Sequence, residues 1–285
     1  MVRKVMFRVK HGAKGGWRGP NAGLALLAGL VLAACSSPED IAQATASAEA
    51  KASGGAAGTA KAEAFEDNAE KDGGKREFAY KWPASVSAIP ALAQRFAAER
   101  DKALAEQKTD WDSALAEFAG EDCAGCKALS FSKEWQVVAD LPRYLSLSAD
   151  IYLYTGGAHG NSGFDALVWD REAGTAIDPR AMFVSEAGLQ EALGEAWCTA
   201  LKAERGKRLG EDYAADDIFP CPDIAQLTLL VGSSDRKAFN RIGLIAAPYV
   251  AGSYAEGPYE VTLPVTEAVL AAVKPEHKAA FALGT

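Results

Sequence analysis

Residues 144–154 carry the pattern that most restricts the fold. Leu145, Leu147, Ala149, Ile151 and Leu153 fall on one side of a strict alternation, and Ser146, Ser148, Asp150, Tyr152 and Tyr154 on the other. A period of two over that length is a strand with one apolar face, and slipping it by one residue would turn the whole apolar set to water. Shorter stretches at 78–82, 129–139, 164–170, 227–231, 242–247 and 259–263 also read as strands, the first and last stopped by Pro83 and Pro264. Glu172-Ala173-Gly174-Thr175 suits a hairpin turn.

Helical spacing appears at 89–119, where Leu92, Phe96, Leu104, Trp111, Leu115 and Phe118 can share a stripe, long enough to leave room for either one unbroken helix or a break near Thr109-Asp110. A second helix over 186–207 is capped by Ser185 and turns Leu189, Leu193, Ala196, Trp197 and Leu201 inward. Short helices are predicted over 266–273 and from Pro275 to just before Gly284. Strands and helices do not strictly alternate. The expected class is therefore α+β, a mostly antiparallel sheet with packed helices, as one domain or two intimate lobes: an α+β lobe at 78–142 and a second at 143–285.

The N-terminal part reads differently. Residues 1–34 hold six Lys and Arg and no Asp or Glu, and the apolar run Leu24–Ala34 ends in Leu32-Ala33-Ala34-Cys35. This is the layout of a secretory signal, too short to span a membrane as a helix. The last four residues resemble a lipobox, which implies cleavage before Cys35, lipidation of its thiol and tethering of the exported chain to a membrane. Ser36, next in line, resembles the preference for the outer membrane's periplasmic face. Residues 35–77 are nearly all Ala, Gly, Ser, Glu, Lys and Asp, which predicts a disordered linker spanning about 35 Å.

Without residues 1–34 the chain carries 24 Lys and Arg against 38 Asp and Glu, a net charge of −14. Such a chain repels nucleic acid and attracts cationic partners. With Cys35 assigned to lipid, Cys123, Cys126, Cys198 and Cys221 remain, an even number suited to two disulfides in an oxidising compartment. Pairing each with its nearest neighbour gives Cys123–Cys126 and Cys198–Cys221. Glu121 and Asp122 directly before Cys123 disfavour a thiolate and hence a redox CxxC.

The chemistry-bearing segment is Tyr152-Leu-Tyr-Thr-Gly-Gly-Ala-His-Gly-Asn161, paired with Ala247-Pro-Tyr-Val-Ala-Gly-Ser-Tyr-Ala-Glu-Gly257. Together they resemble the domain of unknown function 3298, a family known from the extracellular part of lysozyme-sensing anti-sigma factors and the non-catalytic part of a peptidoglycan deacetylase. The likeness covers roughly residues 150–270, with 78–142 in the place of the smaller lobe that often precedes it. It implies an α+β fold and an envelope location. The candidate binding residues are Tyr152, Tyr154, Gly156, Gly157, His159, Asn161, Tyr249 and Tyr254. His159 serves either as a base or ligand or as a lock on its glycine-rich turn.

No cofactor or metal is expected. Gly160-Asn161-Ser162-Gly163-Phe164 misses a nucleophile elbow at its last position, and no HExxH, P-loop or EF-hand pattern occurs. The acidic pairs Glu211-Asp212 and Asp216-Asp217 lack the order of a calcium loop and read as a solvated loop. These absences weigh against an enzyme. The expected function is a membrane-anchored binding or sensor module of the envelope, for lysozyme-like cationic proteins or peptidoglycan. The alternatives are a wall hydrolase or esterase using His159 with a carboxylate such as Asp165, or a purely structural lipoprotein.

Overall fold

The computed structural model describes residues 60–210 and 219–284. The signal segment, Cys35, the first part of the linker and the acidic pairs in 211–217 lie outside the described residues. The described residues belong to one compact unit.

The larger sheet is built from β1 (Glu63–Glu66), β2 (Ala69–Lys71), β3 (Gly74–Trp82), β4 (Ala128–Asp140), β5 (Tyr144–Tyr154), β6 (Asn161–Asp170) and β7 (Thr175–Ile177). Its order is β1-β3-β4-β5-β6-β7, with β2 also paired to β3. Only β3 and β4 run parallel, because a helical crossover joins them: the short α1 (Ala84–Ser87) and the long α2 (Pro90–Glu117). The class is α+β, with a mostly antiparallel sheet.

Two expectations are corrected, and one left open is decided. Order begins well before Phe78. Asp72 and Gly73 both have positive φ, 51° and 75°, and close a two-residue hairpin between β2 and β3. Arg76, 2% exposed, donates to the Asp67 carbonyl at 2.9 Å and to Gln107 Oε1 at 3.3 Å, and is paired with the Asp67 carboxylate. The segment is thus held by polar partners on α2 together with Phe65, which packs edge-on against Phe78. Second, α2 does not break at Thr109-Asp110, since Gln107 Nε2 donates to the Glu77 carbonyl of β3 at 2.9 Å and Trp111 Nε1 to the carbonyl of Lys127, just before β4, at 3.0 Å, anchoring both sides of that point. Third, no boundary falls at residue 142. β4 and β5 pair from Ser130↔Tyr154 to Asp140↔Leu145 around a short turn, so the two predicted lobes share one sheet.

Both faces of that sheet are used. On one face Phe78, Tyr80, Trp82, Trp135, Leu145, Leu147 and Leu167 pack against Leu92, Phe96 and Leu104 of α2, with Phe96 and Trp135 stacked at 4.6 Å. Leu145 and Leu147 are fully buried, each worth about 1.5–3 kcal/mol relative to exposure. Tyr144 and Val168 point to the opposite face. There they meet α3 (Glu186–Leu209) and a three-stranded sheet ordered β10-β9-β8, made of β8 (Thr228–Gly232), β9 (Arg241–Ala246) and β10 (Tyr259–Pro264). Ser185 caps α3, its Oγ accepting from the Gly188 N–H at 3.0 Å. Leu189, Leu193, Trp197 and Leu201 of α3 fill this core with Leu229, Val231, Ile242, Leu244 and Tyr259. The chain ends in α4 (Glu267–Ala272) and a six-residue 3-10 turn, Pro275–Ala280, where a longer helix was expected. Phe281 stops it by docking on Phe183 and Phe239.

Candidate functional site

Two loops from different sheets meet at the site. The first joins β5 to β6 through Thr155–Gly160. Gly156 and Gly157 both lie at φ 93°, a conformation that L side chains resist. Tyr154 donates from its hydroxyl to the Gly157 carbonyl at 2.9 Å, closing the turn. A Cβ on Gly156 would sit 3.4 Å from the Gly125 carbonyl, so the loop lies against the Cys123–Cys126 turn. Tyr152 lies across Gly160, where a Cβ would come within 2.4 Å of its ring.

The second loop runs from Ala247 to Gly257. Tyr249 has φ 71°, unusual for a tyrosine, and its residue is 54% exposed. The Val250 N–H reaches the Ala247 carbonyl and the Tyr249 N–H the Gly252 carbonyl, both at 3.0 Å. Glu256 organises the rest. One oxygen accepts from the Ser253 N–H at 2.7 Å and the other from the Tyr259 hydroxyl at 2.6 Å. Burial opposes its ionisation, but those hydrogen bonds win and leave its carboxyl below the usual range. The Tyr259 hydroxyl is pushed up to about 12 by burial and by Glu256. From α3, Arg205 donates to the Ala251 carbonyl at 2.6 Å, and Arg208 to the Glu256 and Pro258 carbonyls at 2.9 and 2.8 Å.

His159 joins the loops. Its Nδ1 is 2.9 Å from the Gly160 carbonyl, which can only accept, so Nδ1 carries the proton; Nε2 then accepts from the Tyr249 hydroxyl at 3.3 Å. Its ring stacks on Tyr254 with centroids 3.8 Å apart and planes at 19°. Tyr249 lies beside it at 6.4 Å and 30°. Of the sequence candidates, His159, Tyr249 and Tyr254 form one cluster, Tyr152 adjoins it through Gly160, and Gly156, Gly157 and Tyr154 shape the turn. Asn161 is exposed at the start of β6, outside the ring cluster. Tyr259, which the sequence offered beside Tyr249 and Tyr254, supports the loop from β10 through Glu256, whereas Arg205, Arg208 and Glu256 were missed. Ser253-x-x-Glu256 was a readable capping signal; the arginines, almost 50 residues from their acceptors, gave none.

The pairing of His159 with Asp165 is not formed. Asp165 points to the α2 face of the sheet and binds Lys133 at 2.6 Å, with Glu99 on the same ammonium. On the site's own face of β5, Asp150 is raised above the usual carboxylate range by burial and by Glu134, and Glu260 by burial and by Asp150. Among the described residues no group of three or more His, Cys, Asp or Glu is placed to hold a metal ion, and no helix is long and apolar enough to cross a membrane.

These features define a two-sheet α+β module with an aromatic cluster where two loops meet. The fold is that of a solved DUF3298 family protein from Pseudomonas aeruginosa PAO1, with TM-score 0.51 at 18% identity over 76% of this chain and 95% of that one. A DUF3298 member from Bacteroides fragilis NCTC 9343 aligns with TM-score 0.48 and 16% identity over 72% and 90%. Residues 69–162, β2 through the glycine-rich loop, match the family described as deacetylase PdaC. No curated protein matches the chain. The resemblance carried by the two loop segments thus holds at the level of the fold.

Proposed function

We propose that the protein is a non-catalytic binding module of the cell envelope, exported and held by lipid on Cys35, which presents the His159–Tyr249–Tyr254 surface to a wall component or a wall-bound protein. One observation carries this reading. Tyr249 is held in a left-handed conformation, at a cost of order 1–3 kcal/mol, while the residue stays 54% exposed. A fold that spends hydrogen bonds from two loops to present an aromatic ring to solvent gains nothing in core packing from it. The PdaC likeness supports an envelope setting without carrying deacetylation to this chain. His159 has both ring nitrogens hydrogen-bonded and Asp165 is bound to Lys133, so the His159–Asp165 pair of the hydrolase alternative is not assembled among the described residues.

The test is a pull-down of the full chain by isolated wall sacculi and by lysozyme at low and near-physiological salt. Binding that survives the higher salt and drops when residues 154–161 are replaced supports the proposal. Binding that vanishes with salt, or ignores that loop, reduces it to charge attraction.

A further inference from the structure

We infer that the His159–Tyr249–Tyr254 surface is a stacking platform for the pyranose rings of a saccharide chain. The inference rests on the binding-module reading and names its ligand class. The geometry of the rings carries it. The interplanar angles are 19° for His159 and Tyr254, 30° for His159 and Tyr249, and 32° for Tyr249 and Tyr254. His159 and Tyr254 are stacked and Tyr249 is tilted by 30° and 32° to them, so the rings make an open, shallowly bent surface, not a cage. His159 and Tyr249 stand side by side, joined edge to edge by the hydroxyl–Nε2 contact, and Tyr254 backs the His159 ring at 3.8 Å. The result is a two-ring-wide strip whose tilt is fixed before any ligand arrives.

Such a strip suits a partner that is itself a flat ring with an apolar face. The C–H bonds on one face of a pyranose carry slight positive charge and meet the electron-rich face of an aromatic ring, while the sugar hydroxyls stay hydrated. Tyr152, exposed and lying across Gly160 next to His159, and Ser162, exposed opposite it on β6, offer donors and acceptors for those hydroxyls. A basic side chain is served less well. Glu256, in the same loop as Tyr249 and Tyr254, has each oxygen taken, by the Ser253 N–H and the Tyr259 hydroxyl. An open platform also predicts weak, fast binding that gains from several sugars in a row, because little ligand surface is buried at each.

The test uses the full chain in detergent micelles and a tetramer of β-1,4-linked N-acetylglucosamine. Saturation of the aromatic protein protons is expected to transfer to the C–H protons of the sugar, with a measurable Kd. Tyr249→Gly removes the ring yet suits the positive φ, so it leaves the fold intact; it is expected to weaken binding at least tenfold. Tyr249→Phe keeps the ring face and is expected to stay within threefold of the wild type. No transfer at millimolar sugar, an unchanged Kd in Tyr249→Gly, or equal losses in Gly and Phe would each overturn the saccharide assignment. The pull-down separates the two claims. If wall or lysozyme capture depends on the 154–161 loop but is not displaced by the tetramer, the saccharide claim fails and the module reading stands. If neither capture nor transfer depends on this surface, both fall.

Discussion

Removing the Cys198–Cys221 bond gives the sharpest test of how the second core is held. The bond joins α3 to the segment leading into β8, with a sequence separation of 23. In the chain-entropy picture its stabilisation comes from the unfolded state and amounts to about 3.4 kcal/mol at 25 °C for a loop of that length. The Cys123–Cys126 bond, with a separation of 3, comes out at about 1.6 kcal/mol on the same footing. For a unit of this size each kcal/mol moves the midpoint by about 2–4 °C. The double variant Cys198→Ala/Cys221→Ala should therefore melt roughly 7–14 °C lower, and Cys123→Ala/Cys126→Ala roughly 3–6 °C lower. Trp197 sharpens the contrast, because its Nε1 donates to the Pro222 carbonyl at 3.1 Å and loses that fixed partner when Cys221 is released. The assay is thermal unfolding followed by near-ultraviolet circular dichroism, under oxidising conditions. If the short bond proves as costly to remove as the long one, loop length does not govern stability here and the argument is wrong.

Gly160→Ala would drive a Cβ to 2.4 Å from the Tyr152 ring; overpacking of that kind costs about 1–3 kcal/mol, read as a lower urea midpoint, and no loss would mean that Tyr152 does not rest there. Asp170, buried at the β6–β7 turn, is held below the usual carboxylate range by the Arg143 guanidinium and by the N–H groups of Ala173 and Glu172. A depressed folded value means that its stabilisation is complete above its unfolded value, about 3.9, and fades as pH falls through the folded one; urea midpoints should show a steep acid limb that Asp170→Asn flattens. Metabolic acyl labelling should mark the wild-type protein and disappear in Cys35→Ala, and retained label would remove the anchor from the proposal.

What the sequence disclosed follows from where the forces are local. The alternation through β5 was readable because Leu145, Leu147 and Ala149 on one face of the strand meet the α2 core, and Ser185 was readable because a cap acts within three residues. The strands at 63–77 were hidden by composition. Arg76 and Asp67 look like solvated linker until a helix some 30 residues away supplies Gln107. Even so, Asp72-Gly73 carried a local hairpin signal that outweighs the low hydrophobicity around it. The choice left open in α2 was settled in the opposite way. Thr109 and Asp110 are poor helix residues, but the anchors at Gln107 and Trp111 on either side override propensity. At the site, the glycines and His159 stood out, yet their partner loop is linked to them by a hydroxyl–imidazole contact across 90 residues that no spacing rule reaches.

His159 draws the two readings of the site together. A histidine that acts as a base needs a free lone pair aimed at substrate and a group that orients its other nitrogen. Here the orienting group is the Gly160 carbonyl, and the lone pair on Nε2 already accepts from Tyr249. What remains available is the ring face turned away from Tyr254. The contacts that make His159 a lock on its turn therefore also fix the tilt of that face, so a structural role and a binding role are one arrangement. Arg205 and Arg208, rooted in α3, fix the partner loop from below through main-chain carbonyls. The platform is in this way tied to the second core, while Tyr152 and Tyr154 tie it to the large sheet. A ligand stacking on it would meet a surface whose ordering cost folding has already met, the condition under which a weak contact per ring still yields selective binding.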